Sequence, residues 1–397
     1  MNLKEKLLLG PGPSMVDPRV IEAMQQGMFG YLDPDFMNVL DDLADKIKTV
    51  YGTSNVTMAI PGTGSAGMEA GLSSLLEPGE KVIMCVYGFF CERMVDMAER
   101  IGASVIPIRA DWGKPFPAEL LEKEISKHEK VKMVTAIHGE TSTGIKQDLK
   151  QLSQITKNHE ALFMVDAVTT LGGTNIEVDK TGIDYIYSAS QKCIGAPPGL
   201  SPVAISDAAL DSIRARKTKP SSWYLDLSLL ADYWGEKKIY HHTTPVSMIF
   251  ALHKAYELLL SEGLENRFRR HEANAGALIA GLAKLQIEVI PPDGSRLNQI
   301  TPVWIPEGIN DDAVRSKLAA DYSIEIGKGL GDFSGKVWRI GLMGESSKRE
   351  YVLKLLSALE DIFNYYGFEI ASETATRAAN EYYESSDLKS SATDSQF

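Results

Sequence analysis

The sequence predicts an α/β fold, with a large domain built on a mostly parallel, seven-stranded sheet and a smaller C-terminal α+β domain. Three observations carry this expectation. Apolar runs of strand length at 56–60, 81–86, 104–108, 132–137, 161–166, 185–190 and 201–206 alternate with stretches of helical spacing, as in a sheet with helices on both faces. Past a helical stretch near 245–262 the pattern changes: strand-like QIEVI, NQITPVWIP, SIEIG and KVWRIGLMG interleave with helical DDAVRSKLAADY and REYVLKLLSALEDIFNYYG. A length of 397 residues also points beyond a single core. The expected division is an extended segment over 1–15, a large domain over 16–262, a small domain over 263–375 and a tail over 376–397.

Composition narrows the function. Lys plus Arg number 41 against 53 Asp plus Glu, a net charge of −12 that repels a nucleic-acid backbone or an anionic bilayer. Neither is an expected partner. The three cysteines, Cys85, Cys91 and Cys193, lack C-x-x-C spacing and suggest neither a disulfide framework nor a zinc site. The N-terminal apolar run is three leucines before GPGP, too short for a signal-peptide core or a membrane span, and DSQF matches no retention signal. A cytoplasmic location is the expectation.

Taken in order, GPGP (10–13) reads as extended. Helical spacing follows over 17–27 and 36–51, with Asp17 and Pro18 as N-cap and first-turn pair. At PGTGSAG (61–67), Gly62, Gly64 and Gly67 fit the dinucleotide pattern G-x-G-x-x-G between a strand and a helix. That pattern also requires an acid closing the next strand to hold ribose hydroxyls, and VIMCVYGFF has none. What survives is a helix N-terminus with the Thr63 and Ser65 hydroxyls, a cup for one phosphate; a tight turn needing glycines is the alternative.

Asp166 closes the strand ALFMVD, at the carboxyl end where open α/β sheets bind ligands, although capping the next turn is an equally ordinary job for aspartate. Lys192 follows the strand starting at Ile183, on a Gly/Pro-rich loop among Ser188, Ser190 and Gln191 rather than other charges. A partly desolvated lysine becomes a nucleophile; a solvated loop lysine is the bland alternative. A phosphate cup, a carboxylate and an amine at one sheet edge would suit a cofactor with a phosphate, a carbonyl and a ring nitrogen. Pyridoxal phosphate is such a cofactor. His138, His241 and His242 lack an evident third ligand, and adjacent histidines on an extended segment are expected to face opposite ways, so no metal is expected. Cys193 reads as a small buried residue. Residues 373–384 suit a further helix, and SSDLKSSATDSQF is expected to be disordered.

GPGP, PGTGSAGMEA, HGETSTG (138–144), MVDAVTTLGG, SASQKCIGAPPG, YHHTTP (240–245) and WRIGLMG (338–344), in that order, resemble the class V, fold type I pyridoxal-phosphate aminotransferases, and most closely the alanine–glyoxylate and serine–glyoxylate group. The resemblance implies that Lys192 forms the internal Schiff base and that Asp166 partners the pyridine nitrogen. Thr63, Gly64, Ser65 and Gln191 would line the phosphate cup, with Tyr240 and Thr243 completing it from the neighbouring subunit of a homodimer. Phe90 would stack on one face of the cofactor and Val168 cover the other. Thr141 stands where serine is usual and keeps the hydroxyl. Arg339 would bind the substrate carboxylate, with Gly12 and Tyr31 near the substrate; a salt-bridged strand residue is the alternative for Arg339.

The reaction implied is a ping-pong transfer of an amino group from alanine or serine to glyoxylate or a similar 2-oxo acid. YLDPDF, DYWG and GKVWRIG are similar to ureidoglycine–glyoxylate aminotransferases, but Tyr31 and Tyr240 replace the amides usual there. A desulfurase or lyase would want a cysteine late in the chain, and none follows Cys193. A nicotinamide oxidoreductase and a non-enzymatic binding protein are the remaining alternatives.

Overall fold

The alternating strand and helix signals form one seven-stranded sheet in the computed structural model, which describes residues 4–394, with side chains as far as Ser386. Its strands are β1 (Val56–Pro61), β2 (Lys81–Val86), β3 (Ser104–Arg109), β4 (Met133–Ile137), β5 (Leu162–Asp166), β6 (Tyr185–Tyr187) and β7 (Leu200–Ile205). They lie in the order β1-β7-β6-β5-β4-β2-β3. Every pair among β3, β2, β4, β5 and β6 is parallel, and β7 runs antiparallel to both β1 and β6. The exception has a local cause: a Gly/Pro-rich loop without a crossover helix joins β6 to β7, and such a direct return produces antiparallel neighbours.

Helices α1 (Pro34–Tyr51), α2 (Gly64–Leu75), α3 (Phe89–Ile101) and α4 (Val246–Glu262) pack on the sheet. Asp33 caps α1 by accepting from the Asp35 N–H at 2.9 Å, with Pro34 in the first turn. Asp17 and Pro18 start a short helix as expected, which stops at Ala23 rather than reaching 27.

The smaller sheet comprises β8 (Ile300–Trp304), β9 (Gly327–Lys328) and β10 (Val337–Gly341), all antiparallel with β10 in the middle. It shares a second hydrophobic cluster with α5 (Leu264–Lys284), α6 (Arg349–Tyr365) and α7 (Thr374–Asp394). The strand expected over QIEVI shrinks to one bridge between Val289 and Val303. Pro291 and Pro292 follow at once and bring no N–H to a ladder. Helix α7 runs on to Asp394, through the Ser/Thr/Asp-rich stretch expected to be disordered; that stretch contains neither Pro nor Gly to stop it. Residues 395–397 lie outside the described residues. Among the described residues no helix is long and apolar enough to cross a membrane.

The N-terminal segment belongs to the second cluster, which the sequence did not suggest. Leu7–Leu8 pairs in parallel with Ile324–Glu325, Leu9 is fully buried, and the Leu9 carbonyl accepts from the Gly341 N–H at 2.8 Å. Ser14 then ties the segment to the large sheet: its N–H donates to the Gln191 carbonyl at 3.0 Å and its hydroxyl to the Lys192 carbonyl at 3.0 Å.

Candidate active site

Strand direction decides where the chemistry collects. β1, β5 and β6 run parallel, so the turn into α2, Asp166 and the loop carrying Lys192 all emerge at one edge of the sheet. They border a cavity with about 540 Å³ of atom-free space, lined by Thr63, Gly64, Ser65, Phe90, Thr141, Asp166, Val168, Gln191 and Lys192 among others. Nine of the residues singled out in the sequence thus meet at one place. Gly12 joins them from the N-terminal segment: a Cβ there would lie 2.5 Å from the Lys192 amine, and its φ of +109° already favours glycine.

Lys192 donates from Nζ to the Pro11 carbonyl, and no carboxylate pairs with it among the described residues. Burial, with Arg339 adding like-charge repulsion, lowers its amine to about 8. Near neutral pH a usable fraction is therefore uncharged. Lys192 thus lines the cavity half-buried, its amine bonded to main chain rather than standing out from the loop.

Asp166 is 4% exposed, with both oxygens held: Oδ1 accepts from the Val168 N–H at 2.7 Å and Oδ2 from the Tyr187 hydroxyl at 2.5 Å. Burial raises the carboxyl to about 7, against these two bonds, which favour its ionised form. A carboxyl with a folded value above its ordinary 3.8 holds its proton longer in the folded chain than in the unfolded one. The cofactor-free protein therefore loses stability as pH rises from about 4 to about 7. Asp166→Asn escapes that penalty, so its stability relative to the parent should grow by roughly 2–3 kcal/mol between pH 5 and pH 8 in urea unfolding. A difference that stays flat with pH would mean that the carboxyl is ionised throughout.

Helix α2 starts at Gly64, and its N-cap Thr63 makes no side-chain cap bond, so the hydroxyl and the first N–H groups of the helix face the cavity uncommitted. A Cβ on Gly64 would meet Val168 Cγ2 at 2.8 Å; glycine lets the helix end sit against the cavity wall. Gln191 also lines the cavity; the NH2 end of its side chain is the part that can donate to a phosphate, since its oxygen, buried without a partner, only accepts. The helix end, the Thr63 and Ser65 hydroxyls and the donor end of the Gln191 amide fit a phosphate, and Asp166 and Lys192 fit a ring nitrogen and a carbonyl. The side chains present therefore suit pyridoxal phosphate.

Arg339 sits on β10, 5% exposed, its Nε donating to the Lys328 carbonyl at 2.8 Å. Burial depresses it to about 10, so it remains protonated at neutral pH. The salt-bridge alternative fails, because no carboxylate pairs with it among the described residues.

Three residues belong at the site that sequence reasoning missed. Tyr187 is one, reaching Asp166 because β5 and β6 pair in that register. Glu140 is another, fully buried behind the cavity and bonded to the Ser142 N–H at 2.9 Å and hydroxyl at 2.7 Å; burial pushes its carboxyl up. Arg93, on the cavity wall, is the third, and its spacing of three from Phe90 on a helix was the available signal.

Tyr31, Tyr240 and Thr243 do not line the cavity of their own chain. The Tyr31 and Tyr240 rings meet at a tilt of 39°, 4.6 Å between centroids, with Tyr240 exposed and Tyr31 half-buried. His241 and His242 face each other, Nδ1 to Nδ1 at 2.8 Å, rather than pointing to opposite faces, because their segment is irregular instead of extended. Cys193 is buried, its thiol donating to the Thr169 carbonyl at 3.3 Å and pushed up to about 12.

The model of one family, described as Aminotransferase class-V, matches residues 7–332. The chain is 37% identical over 398 residues to the (S)-ureidoglycine–glyoxylate transaminase of Bacillus subtilis (strain 168), covering 96% of this chain and 95% of that one. It is 38% identical over 370 residues to the alanine–glyoxylate aminotransferase of Callithrix jacchus, covering 92% and 89%. Among solved structures, the alanine–glyoxylate aminotransferase of Nostoc sp. superposes with a TM-score of 0.89 at 40% identity, covering 91% and 96%.

Proposed function

The chain belongs to the class-V aminotransferase family, and from that premise we propose that it moves the amino group of alanine or serine to glyoxylate, with Lys192 and Asp166 at the reacting centre. The cofactor of this family is pyridoxal phosphate, which when bound supplies a carbonyl that traps primary amines and a ring that takes up the electron pair left when a carbon loses its proton. The observation that carries the reading is the desolvated Lys192 amine beside a carboxyl held at both oxygens.

Each residue has a task on this reading. Lys192, with its amine lowered to about 8, anchors the cofactor and then serves as the base that carries the proton of the substrate Cα. Asp166, oriented by Val168 and Tyr187, keeps a proton on the ring nitrogen. Thr63, Gly64, Ser65 and Gln191 hold the phosphate at the α2 N-terminus, and Thr141 adds a hydroxyl to the wall. Phe90 and Val168 cover the two ring faces. Arg339 takes the carboxylate of the amino or oxo acid, and Gly12 keeps the approach to Lys192 open.

Tyr240 and Thr243 reach this site from a second copy of the chain. The exposed aromatic residues Phe29, Trp223, Tyr224 and Tyr240 support such an interface, since apolar patches of this kind mark docking surfaces.

Ureidoglycine is the second donor reading, favoured by the similarity to the Bacillus subtilis enzyme. Against it, Tyr31 and Tyr240 present rings rather than amides. Mixing the cofactor-loaded protein separately with alanine, serine, aspartate and ureidoglycine decides between them by absorbance. Alanine or serine should discharge the colour of the aldehyde form, and discharge by ureidoglycine alone would transfer the assignment to the second reading.

A further inference from the structure

The phosphate cup described above is built from neutral groups: the N–H groups at the start of α2, two hydroxyls and an amide. A helix end carries only about half a unit of positive charge, and a phosphate monoester carries close to two negative ones near neutral pH. The missing charge stands one turn into α3. Arg93 lines the same cavity, and its Nη1 donates to the Ser65 hydroxyl at 3.3 Å. Its guanidinium lies 4.8 Å from the centroid of the Phe90 ring and 5.7 Å from that of Phe89, a cradle of two aromatic residues that limits where the group can point.

The electrostatic setting of Arg93 differs from that of its helix neighbours. Glu92 is paired with Arg109 and Arg100 with Asp96, whereas among the described residues Arg93 has no carboxylate partner. It faces Lys192 and contributes to the depressed basicity of that amine. The cavity thus gathers Arg93 and Lys192, with Arg339 close behind, around a single lining carboxyl, Asp166. Such an excess of like charge is costly until an anion arrives to offset it.

We infer that Arg93 is a binding residue for the cofactor phosphate, supplying the positive charge that the α2 cup lacks through the guanidinium edge now bonded to Ser65. The inference rests on the reading that pyridoxal phosphate occupies this cavity with its phosphate at the α2 N-terminus. Cradling by Phe89 and Phe90 makes the cation a fixed part of the cup rather than a mobile side chain.

Binding to the cofactor-free protein tests this apart from catalysis. The dissociation constants of pyridoxal phosphate and of pyridoxal, which lacks the phosphate, are compared in the parent chain, Arg93→Met and Arg93→Lys. Loss of a charge-assisted hydrogen bond should weaken pyridoxal phosphate by about 10- to 100-fold in Arg93→Met, with pyridoxal changed less than about 2-fold. Arg93→Lys should recover part of the preference, and inorganic phosphate should raise the thermal midpoint of the parent more than that of Arg93→Met. Equal losses for both aldehydes would overturn the inference, because they would place the role of Arg93 in orienting Phe90. Unchanged binding of both in Arg93→Met would overturn it as well. If instead the parent binds neither aldehyde at Lys192, the reading of the cavity itself fails. Should Arg93→Met not fold, Arg93→Lys carries the test through its ratio of the two constants.

Discussion

Replacing Lys192 by alanine is expected to lower kcat for transamination by about 10⁴-fold or more, the upper range for a positioned proton-transfer group and equivalent to about 5 kcal/mol of barrier. The expectation follows from how the amine is kept. Gly12 leaves it room, the Pro11 carbonyl accepts its hydrogen bond, and burial with the charge of Arg339 lowers it to about 8. No other primary amine lines the cavity among the described residues. Stopped assays with alanine and glyoxylate measure the loss. In the parent chain, borohydride added after pyridoxal phosphate should leave the phosphopyridoxyl mass on the peptide containing Lys192. Near-normal turnover by Lys192→Ala would end the proposed role.

The second large effect falls on Arg339. Replacement by alanine removes a buried cation that pairs with no carboxylate of the described residues and is held in place by the Lys328 carbonyl. The loss should appear as a raised KM for both amino and oxo acids, with kcat/KM falling by roughly 30- to 1000-fold, or about 2–4 kcal/mol. Arg339→Lys keeps the charge without the planar fork and should fall between. Unchanged kinetics in Arg339→Ala would remove this residue from the site.

Much of this arrangement was legible in the chain before any coordinates. Strand ends were readable because apolar runs stop abruptly at Asp166 and short of Lys192, and in a parallel sheet those ends share an edge. The glycine-rich entry to α2 was readable from its G-x-G-x-x-G spacing, and in the fold Gly64, the first residue of that helix, lies so close to Val168 that nothing larger fits. What stayed hidden depended on register and packing. Tyr187 reaches Asp166 only because those two positions are paired across β5 and β6. Arg93 matters because two aromatic rings aim it at Ser65. Local rules also misjudged several segments: Pro291 and Pro292 cut short the strand over QIEVI, His241 and His242 turn together because their backbone is not extended, and the Ser/Thr/Asp-rich end continues α7.

One feature links the two sheets mechanically. Gly341, two residues beyond Arg339 on the same strand, donates to the Leu9 carbonyl, and two residues further along that segment the Pro11 carbonyl holds the Lys192 amine. On the proposed reading, a carboxylate held by Arg339 would offset part of the positive charge around Lys192, and the run from Leu9 to Pro11 sets a short main-chain path between the two side chains. Because linkage is reciprocal, the protonation state of Lys192 would in turn bear on how tightly Arg339 holds that carboxylate.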